Sequence, residues 1–142
     1  MIKVAHIIPR LVAGGTERML FNLLVNSRLS CSSIVITLMD GGSFWKHYEK
    51  IGVPIVSLGM KRGRFSLRAM SSVREEIKKF KPNIIQGWLY QGNLAATWSQ
   101  MTLPNLDLKL FWTIRQTIIE GHRRESILTR LAARMGALLS GK

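Results

Sequence analysis

The sequence predicts an α/β fold: an open parallel sheet of about five strands with helices on both faces. Two observations carry that expectation. Short β-branched runs alternate with longer stretches of helical periodicity along the whole chain. The second such run, Ser33 to Met39, is almost continuously apolar, as a strand covered on both faces must be; a strand with one wet face would alternate. Elements in this order join parallel strands through right-handed crossovers. Ligands of such sheets bind beyond the carboxyl ends of the strands, near the point where strand order reverses.

Element by element, the first strand runs from Lys3 to Ile8 and its loop from Pro9 to Gly15. Thr16 is placed to cap a helix reaching about Arg28, with Met19, Leu20, Leu23 and Leu24 on one face. Asp40, Gly41 and Gly42 make the turn after the second strand. Phe44 to Ile51 forms a short helix and Pro54 to Leu58 a third strand. Gly59 to Arg64 is a basic loop. Ser66 then caps a long helix whose seam is Leu67, Met70, Val73, Ile77 and Phe80, closing on Lys78, Lys79 and Lys81 before Pro82. Asn83 to Trp88 is a fourth strand, Gly92 to Met101 a helix with Leu94, Ala95 and Trp98 on one face, and Leu108 to Ile114 a fifth strand. A last helix covers Glu125 to Leu139, with Ile127, Leu128, Leu131, Ala132, Met135 and Leu138 as its stripe. With no internal repeat and no low-complexity linker, residues 1–142 read as one domain.

Composition narrows the class. A chain of 142 residues, 46% hydrophobic and 20% charged, fits a globular domain with one sizeable core. Twenty-one Lys and Arg against eight Asp and Glu give a net charge of +13. That excess favours polyanionic neighbours: nucleic acid, an anionic bilayer face or phosphorylated ligands. A solvated basic surface is the alternative. Cys31 is the sole cysteine, which excludes an internal disulfide and a multi-cysteine metal site and suits a reducing cytosol. The apolar run Val4 to Ile8 is too short for a signal peptide and is cut by Pro9 and Arg10. The charge-free stretch Pro82 to Leu106 holds too many Pro, Gly, Asn and Gln residues to span a bilayer. His6 falls mid-strand, as core histidines do, while His47 and His122 lie on polar segments. No ligand cluster surrounds them, so neither a metal nor a cofactor is expected. No nucleophile elbow appears.

The loop Pro9-Arg10-Leu11-Val12-Ala13-Gly14-Gly15-Thr16-Glu17 is the most informative local feature. Two glycines at a helix start let backbone N–H groups approach a ligand closely, where the helix dipole favours phosphate. The alternative is a tight turn in which Glu17 complements the dipole. The loop is neither a P-loop, since no Lys follows the glycines, nor a dinucleotide fingerprint, since the third glycine is missing.

Four stretches together resemble family-four glycosyltransferases, which have the two-domain GT-B fold. Lys3-Val4-Ala5-His6-Ile7-Ile8 leading into Gly14-Gly15-Thr16-Glu17 is similar to their opening. Trp88-Leu89-Tyr90-Gln91-Gly92-Asn93-Leu94-Ala95 resembles their strand-four exit, and Phe111-Trp112-Thr113-Ile114-Arg115-Gln116 their strand-five exit. Leu131 to Ser140 is similar to the helix preceding a sixth strand. The four follow the family's order across nearly the whole chain.

The resemblance implies the N-terminal, acceptor-side, Rossmann-like half of a retaining enzyme that moves a sugar from a nucleotide-diphosphate donor, its substrate rather than a cofactor, to a glycan or lipid-linked acceptor. It implies that Gly14 and Gly15 approach the donor's diphosphate or transferred sugar. Trp88, Tyr90, Gln91 and Asn93 would line the acceptor side, and Arg115 with Gln116 would border the reacting centre. For Trp88, as for Trp98 and Trp112, core packing is the competing role. Many relatives carry a His near the strand-four or strand-five exit, where this chain has Gln91 and Arg115-Gln116. The second domain that supplies most donor contacts in the family has no counterpart in these residues, so the chain is expected to be inactive alone and completed by a C-terminal domain or a partner chain.

The basic residues Lys61, Arg62, Arg64 and Arg68, with Arg130 and Arg134 on the last helix, suit either a solvated face or contact with an anionic membrane that presents a lipid-linked acceptor. The expected location is the cytoplasm, with peripheral attachment to the inner membrane face as an option. Two other classes stay open. A basic nucleotide- or nucleic-acid-binding module is supported by net charge alone, and no helix-turn-helix, zinc finger or aromatic-interleaved motif accompanies it. A non-catalytic partner of a split enzyme is the other.

Overall fold

The computed structural model describes residues 1–61 and 66–114. Within them the order is β1 (Ile2–Ile8), α1 (Gly15–Ser27), β2 (Cys31–Thr37), α2 (Trp45–Lys50), β3 (Ile55–Ser57), α3 (Leu67–Phe80), β4 (Ile84–Trp88), α4 (Leu89–Thr102) and β5 (Lys109–Thr113). The five strands form one sheet in the order β3-β2-β1-β4-β5. Every pairing is parallel. The expected α/β class and strand count hold; the expected helix Glu125–Leu139 lies outside the described residues. Among the described residues no helix is long and apolar enough to cross a membrane.

The chain winds from β1 outward to β3, then returns past β1 to lay down β4 and β5 on the other side. This reversal separates the helices by face. Ile8, Leu11, Leu20, Leu24, Val35, Tyr48 and Trp88 form one apolar cluster beneath α1 and α2. Ala5, Ile7, Ile34, Ile36, Met70, Val73, Ile77, Ile85, Ala95 and Ala96 form another beneath α3 and α4. Alternate residues of one strand therefore serve different cores, which is why the buried parts of β1 and β2 are apolar on both faces rather than alternating.

Helix α3 matches the expectation at both ends. The Ser66 hydroxyl accepts a hydrogen bond from the Ala69 N–H at 3.3 Å. The helix stops at Lys81, left-handed with φ 51°, whose N–H reaches the Ile77 carbonyl. Of its seam, Met70, Val73 and Ile77 are buried, whereas Leu67, the first residue of the helix, is 71% exposed.

Helix α1 departs from expectation. Its N-cap is Gly14, and Thr16 lies inside the helix and buried. The reason is Glu17, three residues past the cap, whose carboxylate folds back against Gly14 where a capping side chain would otherwise sit. The inward face is Thr16, Glu17, Leu20 and Leu24, while Met19 and Leu23 stay exposed. Phe21 turns toward α2, packing edge-on against Phe44 and Tyr48.

Helix α4 begins at Leu89, three residues before the expected Gly92, directly on the end of β4. Leu89 makes that abrupt turn with φ 60°, a left-handed conformation that leucine adopts at a cost. The inward face consists of Gly92, Asn93, Ala95, Ala96 and Ser99, with Leu94 exposed. Small and polar residues do the packing here, so no apolar stripe marks the face.

A polar ladder crosses the sheet on the α1 side. The Trp88 indole N–H donates to His6 Nδ1 at 3.3 Å. Gln86 hydrogen-bonds His6, and its own amide donates to Thr113 at 2.9 Å. Burial drives the His6 imidazole down to about 4, with the Gln86 contact opposing only part of that shift. His6 is therefore neutral in the fold and titrates normally when unfolded, so stability is full above the ordinary imidazole range and falls as acid charges the unfolded chain first. The unfolding free energy should drop by about 1.4 kcal/mol per pH unit between roughly pH 6 and 5. Urea titrations across that window check it, and His6→Gln should flatten the decline.

Candidate functional site

The strand order places the topological switch point between β1 and β4, whose carboxyl ends lie side by side. Two chain segments leave there: the Pro9–Gly14 loop into α1, and Leu89 directly into α4. Residues from both sequence stretches expected to bind ligand thus meet at one edge.

On the β1 side the two glycines differ. The Gly14 N–H is spent on the Val12 carbonyl at 2.9 Å, and the neighbouring Ala13 N–H on the Ser43 hydroxyl at 3.0 Å. The expectation that both glycine amides are free for a ligand is corrected for Gly14, because the loop closes on itself before the helix starts. Gly15 is open. A Cβ there would meet nothing within 4 Å, and at the first helical position its N–H has no intrahelical partner. Glu17 is 5% exposed and lies shallow beneath this loop. Burial pushes its carboxyl above the usual carboxylate range although its own backbone N–H donates to it. Its backbone carbonyl accepts the Tyr48 hydroxyl at 2.5 Å, which pins α1 to α2; burial, with the Glu17 charge second, raises the Tyr48 phenol well above its ordinary range.

On the β4 side Trp88 is fully buried, packed under α1 and bonded to His6. It fills the core and offers no surface at this edge. Tyr90 is half-buried and Gln91 exposed in the first turn of α4. Asn93 is 2% exposed, and neither its amide nitrogen nor its oxygen has a hydrogen-bond partner. A buried amide without partners costs about 1–3 kcal/mol. The Thr37 hydroxyl, at the end of β2, is likewise buried and unpartnered.

Glycines hold the two sides together. A Cβ on Gly87 would fall 2.6 Å from the Asn93 Cα, and one on Gly92 would collide with the Ile7 carbonyl oxygen. Helix α4 therefore touches β4 and β1 backbone to backbone. Sequence reading took Gly92 for a helix boundary and missed this contact. It also missed the Glu17 fold-back, although a glutamate three residues past a helix cap is a signal for it.

Elsewhere, Lys61 and Arg68 line an open depression of about 740 Å³ with Ser66, Ser72 and Glu76, between the β3 exit and α3. It lies two strands from the switch point, about 10 Å along the sheet. Arg62, Arg64, Arg115, Gln116, Arg130 and Arg134 lie outside the described residues. Among the described residues no group of three His, Cys, Asp or Glu side chains is arranged to hold a metal.

Solved structures share this architecture. The chain is similar to Alr3699/HepE of Anabaena, solved in complex with UDP and glucose, with a TM-score of 0.73 and 14% identity over 96% of this chain and 36% of that one. It is similar to a glycosyltransferase from Rickettsia africae ESF-5, with a TM-score of 0.59 and 20% identity over 91% of this chain and 35% of that one. It also resembles UDP-GlcNAc 2-epimerase from Neisseria meningitidis bound to UDP-GlcNAc, with a TM-score of 0.56 and 14% identity over 94% of this chain and 39% of that one. The chain thus spans little more than a third of the length of these proteins, and at such identities the likeness establishes the Rossmann-like fold. No protein-family model and no curated protein matches the sequence.

The α4 contact makes a direct prediction. Gly92→Ala should destabilise the fold by about 1–3 kcal/mol through overpacking, lowering the thermal midpoint by roughly 4–12 °C, as read by circular dichroism.

Proposed function

We propose that this chain is the N-terminal, acceptor-side half of a retaining glycosyltransferase of the two-domain GT-B type. It transfers a sugar from a nucleotide-diphosphate donor to a glycan or lipid-linked acceptor in surface polysaccharide synthesis. A second domain or partner chain supplies most of the donor contacts. The observation that carries this reading is the switch point itself, where the β1 loop ends on bare Gly15 in open space and α4 starts directly on the neighbouring β4. The similar Anabaena protein was solved with UDP and glucose, which supports a nucleotide-sugar ligand.

At Gly15 the missing side chain gives the transferred sugar room to lie against the backbone. With Glu17 beneath, a ring hydroxyl suits this place better than a phosphate, since a carboxylate accepts hydrogen bonds and repels anions. Tyr90 and Gln91 border the acceptor. Departure of the nucleoside diphosphate builds negative charge, which preorganised donors stabilise best where water is kept out; Arg115 and Gln116 are assigned to that centre. Net charge of +13, with Lys61 and Arg68 at one edge, supports peripheral binding to an anionic cytoplasmic leaflet.

Gly15→Val tests the donor assignment in the enzyme completed by its second half. Transfer should fall about a hundredfold with the thermal midpoint nearly unchanged, because the new side chain enters open space. Gly14→Ala should instead displace the Glu17 carboxylate, the only group its Cβ would meet, and change the thermal midpoint little. Undiminished transfer by Gly15→Val would remove this loop from the donor site. For the membrane, sedimentation with vesicles should rise with anionic lipid and weaken with salt; indifference to both would refute the attachment.

A further inference from the structure

Two helix N-termini flank the switch point, and they are occupied differently. The first turn of α1 is covered by the Glu17 carboxylate, so that an incoming phosphate meets a like charge. The first turn of α4 has no side-chain cap from Trp88 and no acidic residue. Its leading N–H groups, those of Tyr90 and Gln91, have no intrahelical partners. Tyr90 is half-buried and Gln91 exposed, so this turn opens toward solvent.

Beneath that turn lies Asn93. Helical side chains tilt toward the N-terminus, and the Asn93 Oδ1 lies back against Gly87, the residue just before the N-cap. It is 2% exposed, with both its donor and its acceptor unused. An amide left unpaired under an uncapped helix start is a built feature of an anion seat. We infer that the first turn of α4, backed by the amide of Asn93, is a phosphate subsite.

The backbone N–H groups meet the outer oxygens, and a small shift of the turn brings the Asn93 NH₂ to an inner one. Leu89, held left-handed at φ 60°, is the residue whose strain that shift can relieve. The phosphate belongs either to the nucleotide donor or to a phosphorylated acceptor, which present the same oxygens. The inference rests on the proposed function only in requiring that one of these ligands carries phosphate.

Titration of the ¹⁵N-labelled 142-residue chain tests it. Inorganic phosphate, UDP and a short prenyl diphosphate are added separately at constant ionic strength, with chloride as the control for non-specific attraction to a basic protein. Saturable shifts of the Tyr90, Gln91 and Gly92 amides and of the Asn93 side-chain NH₂ are expected. Asn93→Ala should weaken phosphate binding by roughly tenfold while leaving the thermal midpoint unchanged or higher, since it removes an unpaired buried group. A merely structural asparagine would lower the midpoint instead. Gln91→Glu adds a carboxylate to the turn at an exposed position. It should abolish binding in a folded protein, which keeps the test decisive should Asn93→Ala not fold. Tighter binding of UDP assigns the seat to the donor, and tighter binding of prenyl diphosphate assigns it to the acceptor. Shifts confined to residues 13–17 would overturn the subsite and leave the nucleotide-sugar reading standing. Shifts nowhere would overturn the subsite, while the nucleotide-sugar reading is judged separately by transfer in the enzyme completed by its second half.

Discussion

Everything at the ligand-facing edge depends on how closely α4 approaches the sheet. Gly87 and Gly92 remove the two side chains that would hold the helix away, and backbone meets backbone at Asn93 and Ile7. That closeness forces the turn after Trp88 to be made in one residue, which puts Leu89 into a left-handed conformation. It also leaves Asn93 where no neighbour can reach its amide. An unpartnered polar group and a strained backbone are both costs to the unliganded fold. Both costs fall at the start of α4, beside the topological switch point.

Layer order and strand count were legible because they rest on periodicity. β2 is buried on both faces, and the run Ile34 to Leu38, apolar except for Thr37, shows it. Helix α3 was legible at both ends because Ser66 and the lysines before Pro82 are local signals. Helix α4 was not, since its packing face is Gly92, Asn93, Ala95, Ala96 and Ser99, and small or polar residues leave no hydrophobic stripe. The face of α1 was misread for a related reason: Glu17 and Thr16 are buried, while Met19 and Leu23 are not. At the candidate site, the sequence indicated which segments leave the strand ends, but not the contacts they make there. Which amides are spent depends on contacts such as Gly14 to Val12 and Ala13 to Ser43, which no local pattern specifies.

The two sides of the crevice offer complementary chemistry. The β1 side presents open space at Gly15 and, one residue earlier, the Glu17 carboxylate against Gly14, which suits hydroxyl groups. The β4 side presents uncapped N–H groups over an amide, which suits anionic oxygen. A sugar joined to phosphate has both characters within one molecule. The basic excess of the chain acts over a longer range, raising the local concentration of anionic ligands without choosing among them.

The sheet also works as a partition. The cluster under α1 and α2 and the cluster under α3 and α4 draw on alternate residues of the same strands, with only backbone between them. Substitutions on opposite sides share no side-chain partners, so their effects should add with little coupling. One side can then drift through successive changes while the other keeps its packing, and a lineage could remodel the α1–α2 layer without disturbing the helix that closes on Gly87 and Ile7.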